Sequence, residues 1–490
     1  MPTYHVENFG CRATQADGAA LERQFESRGL ARASSAQADL VILNTCTVTN
    51  SADQDARAAI RRVQRQNPLA KIIVTGCYAQ RAPQEIAALP GVTCVIGNSH
   101  KHQLAEIALT EVAPRSDGFV PLITLESTGQ RLKTNDQRPL FISDIFAHTQ
   151  LLAAPVFEFI NAESASADAH AGRTRPNLKV QDGCDNRCSF CVIPSVRGHS
   201  RSLPLPQIIR EVNALVAAGY REVVISGINL GRWGRDLAVS SQLSARNSRR
   251  PLDFESLVRA ILSDTGLEKL RLSSVEPMDW SDELIGLVAS SPRIAKHAHV
   301  PLQSGSDAVL RRMHRKYRPW HYREKIEKIR AAMPAAAIGA DVMAGFPGET
   351  DAEFEATRRL IQELPFTYLH VFTYSARPGT PAATMPNQVP VQVGRERNKI
   401  LRDLAAEKKL AFMQSLRGKQ MEAITLGSCG AGDPRDGAAP SAAAPGNPVL
   451  TEALTDNYQK LFLKGRHVPN RWITTRVEGV EDGALTGEVA

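Results

Sequence analysis

The stretch Val180-Gln-Asp-Gly-Cys184-Asp-Asn-Arg-Cys188-Ser-Phe-Cys191 carries three of the eight cysteines in this chain of 490 residues, with the spacing C-x-x-x-C-x-x-C. A loop this compact can present three thiolates to one inorganic cluster. Three protein ligands on a four-iron cluster leave one iron open to another molecule. A structural zinc site needs a fourth ligand, which the stretch itself does not supply. The spacing alone is therefore also compatible with a zinc knuckle that has a distant fourth ligand, or with three cysteines of no joint role.

Length and composition predict a globular protein of about three domains. Hydrophobic residues make up 43% of the chain and charged residues 22%, and the formal net charge is +8. That charge is compatible with an anionic partner and diagnostic of none. The sequence shows neither a secretory signal nor a stretch long enough to span a membrane. We therefore expect a cytoplasmic protein, in which clustered cysteines bind metals or catalyse rather than form disulfides.

Residues 1–112 alternate short apolar runs with helical patterns, which predicts a Rossmann-like α/β domain with a parallel sheet. Helices are expected over residues 15–28 and 52–66. The predicted strands are residues 4–8, 39–43, 71–75 and 93–97.

Three further cysteines, Cys11, Cys46 and Cys77, each follow the end of a predicted strand. Ligands bind at the carboxyl edge of open α/β sheets, so the three sulfurs are expected to converge there. The alternative is three unrelated small buried residues, the usual role of lone cysteines. Cys94 lies inside a strand and is assigned to the core.

Residues 113–175 break this rhythm and are interpreted as a linker or insertion. From 176 to 416 the chain returns to alternating strands and helices, with about six strands, which predicts a complete or partial parallel β/α barrel. The expected strands are the one that precedes Cys184 and residues 221–227, 270–274, 297–301, 338–343 and 368–372.

The strands of this barrel end in polar or glycine-rich residues, among them Gly227, Ser274 and Glu276. An ordinary turn with a helix N-cap explains such residues equally well, and Asp307 and Thr350 fit capping. Glu276 is more specific, because a carboxylate just past a strand can hold an amino or hydroxyl group of a ligand.

Residues 417–490 contain short β-like segments and predict a small all-β barrel, interrupted by a Gly/Ala/Pro/Ser-rich loop at 427–448. Basic residues are interleaved with aromatic ones in its second half, a pattern that suits phosphate contact and base stacking. The alternative is a solvated face with its aromatic residues in the core. The candidate RNA-binding residues are Lys460, Lys464, Arg466, Arg471, Trp472 and Arg476.

Together these motifs resemble the radical S-adenosylmethionine methylthiotransferase family, in the family's order: an N-terminal cluster domain, a radical barrel and a small TRAM barrel. The linker before Arg173 and the loop at 427–448 depart from the family pattern. Within the family, the motifs around Cys46 and Cys77 look most like the branch that acts on threonylcarbamoyladenosine in tRNA. The resemblance is carried by Cys184-x-x-x-Cys188-x-x-Cys191, Asn8-Phe-Gly-Cys11, Asn44-Thr-Cys46-Thr-Val-Thr, Thr75-Gly-Cys77-Tyr-Ala-Gln, Arg197-Gly-His-Ser-Arg201-Ser, Pro301-Leu-Gln-Ser-Gly-Ser306, Gly345-Phe-Pro-Gly-Glu-Thr350 and Tyr374-Ser-Ala-Arg-Pro-Gly-Thr380.

This resemblance implies two 4Fe-4S clusters and S-adenosylmethionine as cofactors. Cys184, Cys188 and Cys191 would hold the cluster that cleaves S-adenosylmethionine, and the trio at the N-terminal sheet would hold the second cluster. Gly227, Ser274 and Glu276 would contact S-adenosylmethionine. Arg197 and Arg201 are candidates for holding a carboxylate or phosphate, or for an exposed role beside a helix.

The implied reaction is methylthiolation of C2 of N6-threonylcarbamoyladenosine, beside the anticodon. The implied partners are the tRNA anticodon stem-loop, bound by the TRAM domain, and an electron donor such as flavodoxin or ferredoxin. Sibling branches act on isopentenyladenosine in tRNA or on an aspartate of a ribosomal protein. A non-catalytic RNA-binding protein with structural zinc is the alternative from a different class.

Overall fold

A computed structural model describes residues 1–112, 138–152, 175–237, 252–429 and 450–490. Most of the predicted linker and of the predicted 427–448 loop lies outside these residues. In the described ranges, every helix is too short or too polar to cross a membrane. The chain forms two compact units: Met1–Ala154 with Asp182–Asn186 and Cys191–Arg201, and Pro155–Gln181 with Arg187–Phe190 and Ser202–Ala490.

The first unit is built on a six-stranded sheet in which all neighbouring strands are parallel. The four predicted strands are present, and two strands of two residues each, which are too short to show a hydrophobic period, extend the edges. The order is β2-β1-β3-β4-β5-β6, with β1 (Thr3–Asn8), β2 (Ala31–Arg32), β3 (Leu40–Thr45), β4 (Lys71–Gly76), β5 (Val92–Gly97) and β6 (Leu140–Phe141).

Helices of the first unit pack apolar side chains on the sheet. Leu21 and Phe25 are fully buried in one cluster, and Ile60 and Val63 in another. Burying each such side chain stabilises the fold by roughly 1.5–3 kcal/mol. The helices are α1 (Arg12–Glu26), α2 (Asn50–Gln66), α3 (Cys77–Arg81), α4 (Pro83–Ala87), α5 (Leu104–Val112) and α6 (Ile193–Arg197).

The second unit contains the predicted partial barrel of six parallel strands, and the two-residue strand β8 is added at one edge. Its strands form two sheets, β10-β9-β7-β8 and β11-β12-β13, and a parallel bridge from Leu270 to Ile294 lies between β10 and β11. The strands are β7 (Asn177–Asp182), β8 (Arg201–Ser202), β9 (Glu222–Gly227), β10 (Lys269–Leu272), β11 (His297–His299), β12 (Ala337–Ala344) and β13 (Tyr368–Thr373).

Helices follow the strands of this barrel, and capping side chains start several of them. Thr350 accepts a hydrogen bond from the Glu353 amide and caps its helix as predicted. Ser306, rather than Asp307, caps the other helix, because its hydroxyl accepts from the Val309 amide. The helices are α7 (Leu205–Ala217), α8 (Phe254–Asp264), α9 (Asp282–Ser290), α10 (Asp307–Arg312), α11 (Pro319–Ala332), α12 (Asp351–Glu363) and α13 (Val391–Ser415).

The C-terminal strands close into the predicted small barrel, in the order β14-β15-β16-β18-β17. Apolar alternation does not mark strand β15 in the sequence, because its residues Thr451 and Thr455 are fully buried yet polar. The strands are β14 (Gln420–Cys429), β15 (Leu450–Thr455), β16 (Lys460–Lys464), β17 (Trp472–Glu481) and β18 (Ala484–Val489).

The small barrel packs against the amino ends of the parallel strands. Lys269, the first residue of β10, pairs with Glu422 of β14 at 2.7 Å, and its Nζ lies 4.9 Å from the centroid of the Trp472 ring. The ring of Tyr458 lies 4.7 Å from that of His297, the first residue of β11. The carboxyl ends of the same strands, where a barrel binds its ligands, point the other way.

Candidate functional site

The cysteines near the N-terminus follow three adjacent strands of the first unit. Cys11 lies beyond β1, Cys46 directly follows β3, and Cys77 follows β4 as the first residue of α3. Because β1, β3 and β4 are parallel neighbours, the three cysteines share one edge of the sheet.

Two glycines let the backbone segments at this edge approach closely. Gly10 has φ +102°, and a Cβ there would lie 2.4 Å from the Cys46 Cβ. Gly76 has φ +100°, and its Cβ would lie 2.3 Å from the Thr45 carbonyl oxygen. Only glycine tolerates both the backbone angle and the contact. The segments that carry Cys11 and Cys77 are therefore both packed against the segment that carries Cys46.

The thiol of Cys46 lies in a buried setting near the other two cysteines. Burial, followed by the charges of Cys77 and Cys11, raises the pKa of the Cys46 thiol to about 11. All three are free cysteines. Thiols must lose their protons to bind a metal, which then supplies the missing positive charge. The residues at this edge thus fit an iron–sulfur cluster held by three cysteines.

A buried polar network lies next to these cysteines. Asn98 donates a hydrogen bond to Cys77 Sγ at 3.6 Å and another to the Val196 carbonyl at 2.8 Å. Asp17 accepts from both Lys101 and Arg197 at 3.0 Å.

Arg197 also donates to both carboxylate oxygens of Asp182, at 2.9 Å each. Burial lowers the pKa of Arg197, but Asp182, Cys77 and Asp17 outweigh burial and hold it well above its usual value. Of the two sequence-based interpretations of Arg197, the exposed role is wrong, since the side chain is only 2% exposed and holds carboxylates of the chain itself. The sequence gives one indication that Asp17 has a special role, because it is an acidic residue on the apolar face of a helix.

The C-x-x-x-C-x-x-C loop follows β7, and Cys184, Cys188 and Cys191 are all half-buried cysteines outside any disulfide. The Cys184 amide donates to the Gly198 carbonyl at 3.1 Å. Across the part of the chain that the structure describes, no three His, Cys, Asp or Glu side chains are placed to share a single metal ion. A 4Fe-4S cluster, in which each cysteine binds a different iron, needs wider spacing than one ion does.

Arg315 joins one of these cysteines to a predicted ligand-binding carboxylate. Its Nη1 donates to Cys188 Sγ at 3.1 Å and its Nη2 to Glu276. The sequence gives no sign of this role, because the basic run from Arg311 to Lys316 is typical of a solvated helix end.

Ser274 and Gly227 lie at neighbouring strand ends. Ser274 Oγ is 2.7 Å from His299 Nδ1, and His299 Nε2 is 3.5 Å from Asp341. A Cβ at Gly227 would lie 2.8 Å from Gln181 Oε1, the atom that accepts from the Asn229 amide. Polar side chains therefore lie at or just past the carboxyl ends of β7, β9 and β10.

Comparisons with known proteins agree with this arrangement. Residues 3–97 match a model described as Uncharacterized protein family UPF0004, and residues 178–361 match the Radical SAM superfamily. A threonylcarbamoyladenosine tRNA methylthiotransferase of Bacillus subtilis is 34% identical over 95% of this chain and 91% of its own. The chain belongs to the radical S-adenosylmethionine methylthiotransferase family.

Two other relatives come from different branches of this methylthiotransferase family. A threonylcarbamoyladenosine tRNA methylthiotransferase of Rickettsia prowazekii is 36% identical, and a tRNA-2-methylthio-N(6)-dimethylallyladenosine synthase of Novosphingobium aromaticivorans is 34% identical. Each match covers 86% of both chains. A radical S-adenosylmethionine methyltransferase structure, TsrM from Kitasatospora setae, shares the fold, with a TM-score of 0.53 at 15% identity over 78% of this chain and 74% of its own.

As a radical S-adenosylmethionine enzyme, this methylthiotransferase uses S-adenosylmethionine and a 4Fe-4S cluster. Of the predicted RNA-binding residues, the five basic ones are exposed: Lys460, Lys464, Arg466, Arg471 and Arg476.

Three of these candidates have partners within the second unit. Lys460 pairs with Glu452 at 3.3 Å and Lys464 with Glu478 at 2.9 Å. Trp472 is half-buried beside Lys269 rather than fully open to solvent.

Proposed function

We propose that this methylthiotransferase modifies C2 of N6-threonylcarbamoyladenosine beside the anticodon of tRNA. The observation that carries the proposal is the 34% identity to the Bacillus subtilis enzyme over 95% of the chain. Relatives of the same name from other bacteria support it at 32–36% identity. A tRNA substrate also implies that the enzyme works in the cytoplasm.

Two 4Fe-4S clusters are proposed. Cys184, Cys188 and Cys191 would hold the first, and Cys11, Cys46 and Cys77 the second. When bound, the first with S-adenosylmethionine supplies a carbon radical, and the second supplies the sulfur that is transferred. The convergence of the N-terminal thiols at one sheet edge supports the second assignment.

The chain's own residues would bind and orient the cofactor. Arg315 holds the Glu276 carboxylate in one orientation, so Glu276 can accept from the amino group of S-adenosylmethionine. Gly227 would let the cofactor approach the strand end, and Ser274, fixed by His299, would contact its polar groups. Excluding water from this end of the barrel protects the radical from side reactions.

The proposed domains are residues 1–112 for the second cluster, the insertion 113–175, the radical barrel 176–416 and the TRAM domain 417–490. We assign the RNA contacts to the TRAM domain. Exposed Arg466, Arg471 and Arg476 would neutralise phosphates, and Lys460 and Lys464 would exchange their glutamate partners for phosphates. Trp472 would stack only on a base that reaches its exposed edge. A flavodoxin or ferredoxin would donate the electron.

The substrate is tested with reconstituted enzyme and tRNA that carries threonylcarbamoyladenosine, isopentenyladenosine or neither, with nucleosides identified by mass spectrometry. We expect a methylthio product only from the first tRNA. Modification of isopentenyladenosine alone would establish the second candidate, favoured by the Novosphingobium relative. Activity confined to the aspartate of a ribosomal protein would exclude both.

The clusters are tested by anaerobic iron and sulfide counting on the wild type and on a Cys184/Cys188/Cys191→Ala variant. We expect the variant to lose about half of the iron. Unchanged iron would contradict the assignment, and a colourless protein with about one zinc would identify the non-catalytic RNA-binding alternative.

A further inference from the structure

Asp17 lies at the centre of a buried ionic network in the first unit. It accepts from Lys101 Nζ and from Arg197 Nη2, each at 3.0 Å, and the three side chains are only 2–3% exposed. Burying charges is costly, and a well-packed apolar group would often serve stability equally well. A role in the chemistry nearby would explain why the charges are there.

The network borders the cysteine edge directly. Lys101 Nζ also donates to Asn44 Oδ1 at 3.1 Å, and Asn44 lies two residues before Cys46. Asn98 donates to Cys77 Sγ at 3.6 Å. Burial lowers the pKa of Lys101, while the Asp17 carboxylate, 3.0 Å from Nζ, opposes that shift and favours the ammonium form. A positive charge therefore lies next to Asn44, on the segment that carries Cys46, and an N–H donor acts on the Cys77 sulfur.

Because of Arg197, Lys101 can be replaced without breaking the rest of the network. Because Arg197 binds both Asp17 and Asp182, Asp17 keeps a cationic partner when Lys101 is replaced. Loss of Lys101 thus removes one positive charge beside the thiols without leaving a carboxylate unpaired.

We propose that Lys101 and Asn98 are positioning residues that raise the reduction potential of the cluster held by Cys11, Cys46 and Cys77. This inference rests on the proposed second cluster. An added electron makes a cluster more negative, so a nearby cation and hydrogen bonds to its sulfurs stabilise the reduced state. The higher potential makes this cluster a better electron acceptor than it would be in an apolar site.

The test uses the full chain with Cys184, Cys188 and Cys191 replaced by alanine, so that a single cluster is observed. After anaerobic reconstitution, its potential is measured by redox titration followed by electron paramagnetic resonance. We expect Lys101→Met to shift the reduction equilibrium about tenfold toward the oxidised cluster, which is about 59 mV for a one-electron couple. Asn98→Leu should shift it in the same direction, because it removes the N–H donor to sulfur.

Lys71→Met is the matched control. It removes the same charge at the first residue of β4, about 17 Å from the cysteine end of that strand at ~3.3 Å per residue. Its potential should equal that of the parent. Lys101→Arg keeps the charge, so the reduction potential of this variant should stay close to that of the parent. A purely structural role would instead make the two substitutions at Lys101 alike.

Equal potentials in the parent, Lys101→Met and Asn98→Leu would overturn the inference. A folded Lys101→Met protein that takes up no cluster would overturn it too, since the charge would then serve assembly. If Lys101→Met does not fold, Asn98→Leu decides, because it leaves the ionic network intact. Failure of the proposed function is distinguishable: the parent itself would then bind no iron.

Discussion

Replacing Arg315 by methionine removes the one side chain that the structure shows bonding to both Cys188 and Glu276. The guanidinium donates to Cys188 Sγ at 3.1 Å and to the Glu276 carboxylate, and its Nε lies 3.3 Å from the Tyr317 hydroxyl. The Arg315 side chain is 6% exposed and that of Glu276 23% exposed. The substitution therefore leaves the largely buried Glu276 carboxylate without its cationic partner.

Breaking a fully buried ion pair from one side costs about 3–5 kcal/mol. Glu276 retains some access to water, which compensates part of its lost partner. We therefore expect Arg315→Met to lower the free energy of unfolding of the apoprotein by about 2–3 kcal/mol. Glu276→Gln should cost less, because an amide can still accept from the guanidinium.

Urea unfolding followed by tryptophan fluorescence measures this cost selectively, because Trp233, Trp280, Trp320 and Trp472 all belong to the second unit. In the double variant Arg315→Met/Glu276→Gln the two costs should overlap by about 1–2 kcal/mol. The control is Arg311→Met, whose bond to Asp307 is largely exposed; it should cost no more than about 0.5 kcal/mol. Equal effects at Arg315 and Arg311, or additive costs in the double variant, would refute the reasoning.

Three further outcomes are expected. Gly10→Ala should lose about half of the bound iron, because the added Cβ would collide with Cys46. Gly29→Ala is the control and should keep all of its iron, because a Cβ there meets no atom within 4 Å. Both are measured by iron assay. Arg466→Ala should reduce the magnitude of the slope of log K against log salt by about 0.7–0.9, where K is the association constant for an anticodon stem-loop measured by fluorescence anisotropy. Trp472→Ala should leave that slope unchanged. Burial, then Arg201, lowers the pKa of His148 to about 4, below its unfolded value of about 6.5, so the protein favours the neutral imidazole. The stability of the first unit should therefore fall as the pH drops from about 6.5 to 4. The fall is measured as lost hydrogen-exchange protection of β5, and it should be smaller in His148→Gln.

The sequence predicts those parts of the fold that short-range patterns determine. The apolar runs of β3 and β9 are buried along almost their whole length, so they stand out as strands of parallel sheets. Cys46 and Cys77 follow strand ends directly, which is enough to place them at one edge. The glycine that precedes Cys77 is informative too, because a glycine at a strand end is typical of a close approach between backbone segments.

Other features depend on contacts between residues that are distant in the sequence, and no local pattern shows them. Arg315 reaches Cys188 across 127 positions, and Lys101 reaches Asp17 across 84. Both side chains belong to polar stretches whose composition suggests exposure to solvent. The sequence leaves base stacking and a place in the core open for Trp472, and only the packed structure reveals Lys269 beside its ring.

The docking of the small barrel has a practical consequence for engineering. Arg271, 1% exposed, donates to the Asp456 carbonyl, and Asn457 donates to the Ala335 carbonyl at 2.9 Å. A chain shortened at Leu416 would expose these groups to water at the amino ends of the parallel strands. The small barrel thus supplies hydrogen-bond partners to buried groups of the parallel-strand region, and truncation should destabilise what remains of the second unit rather than yield a simpler catalyst.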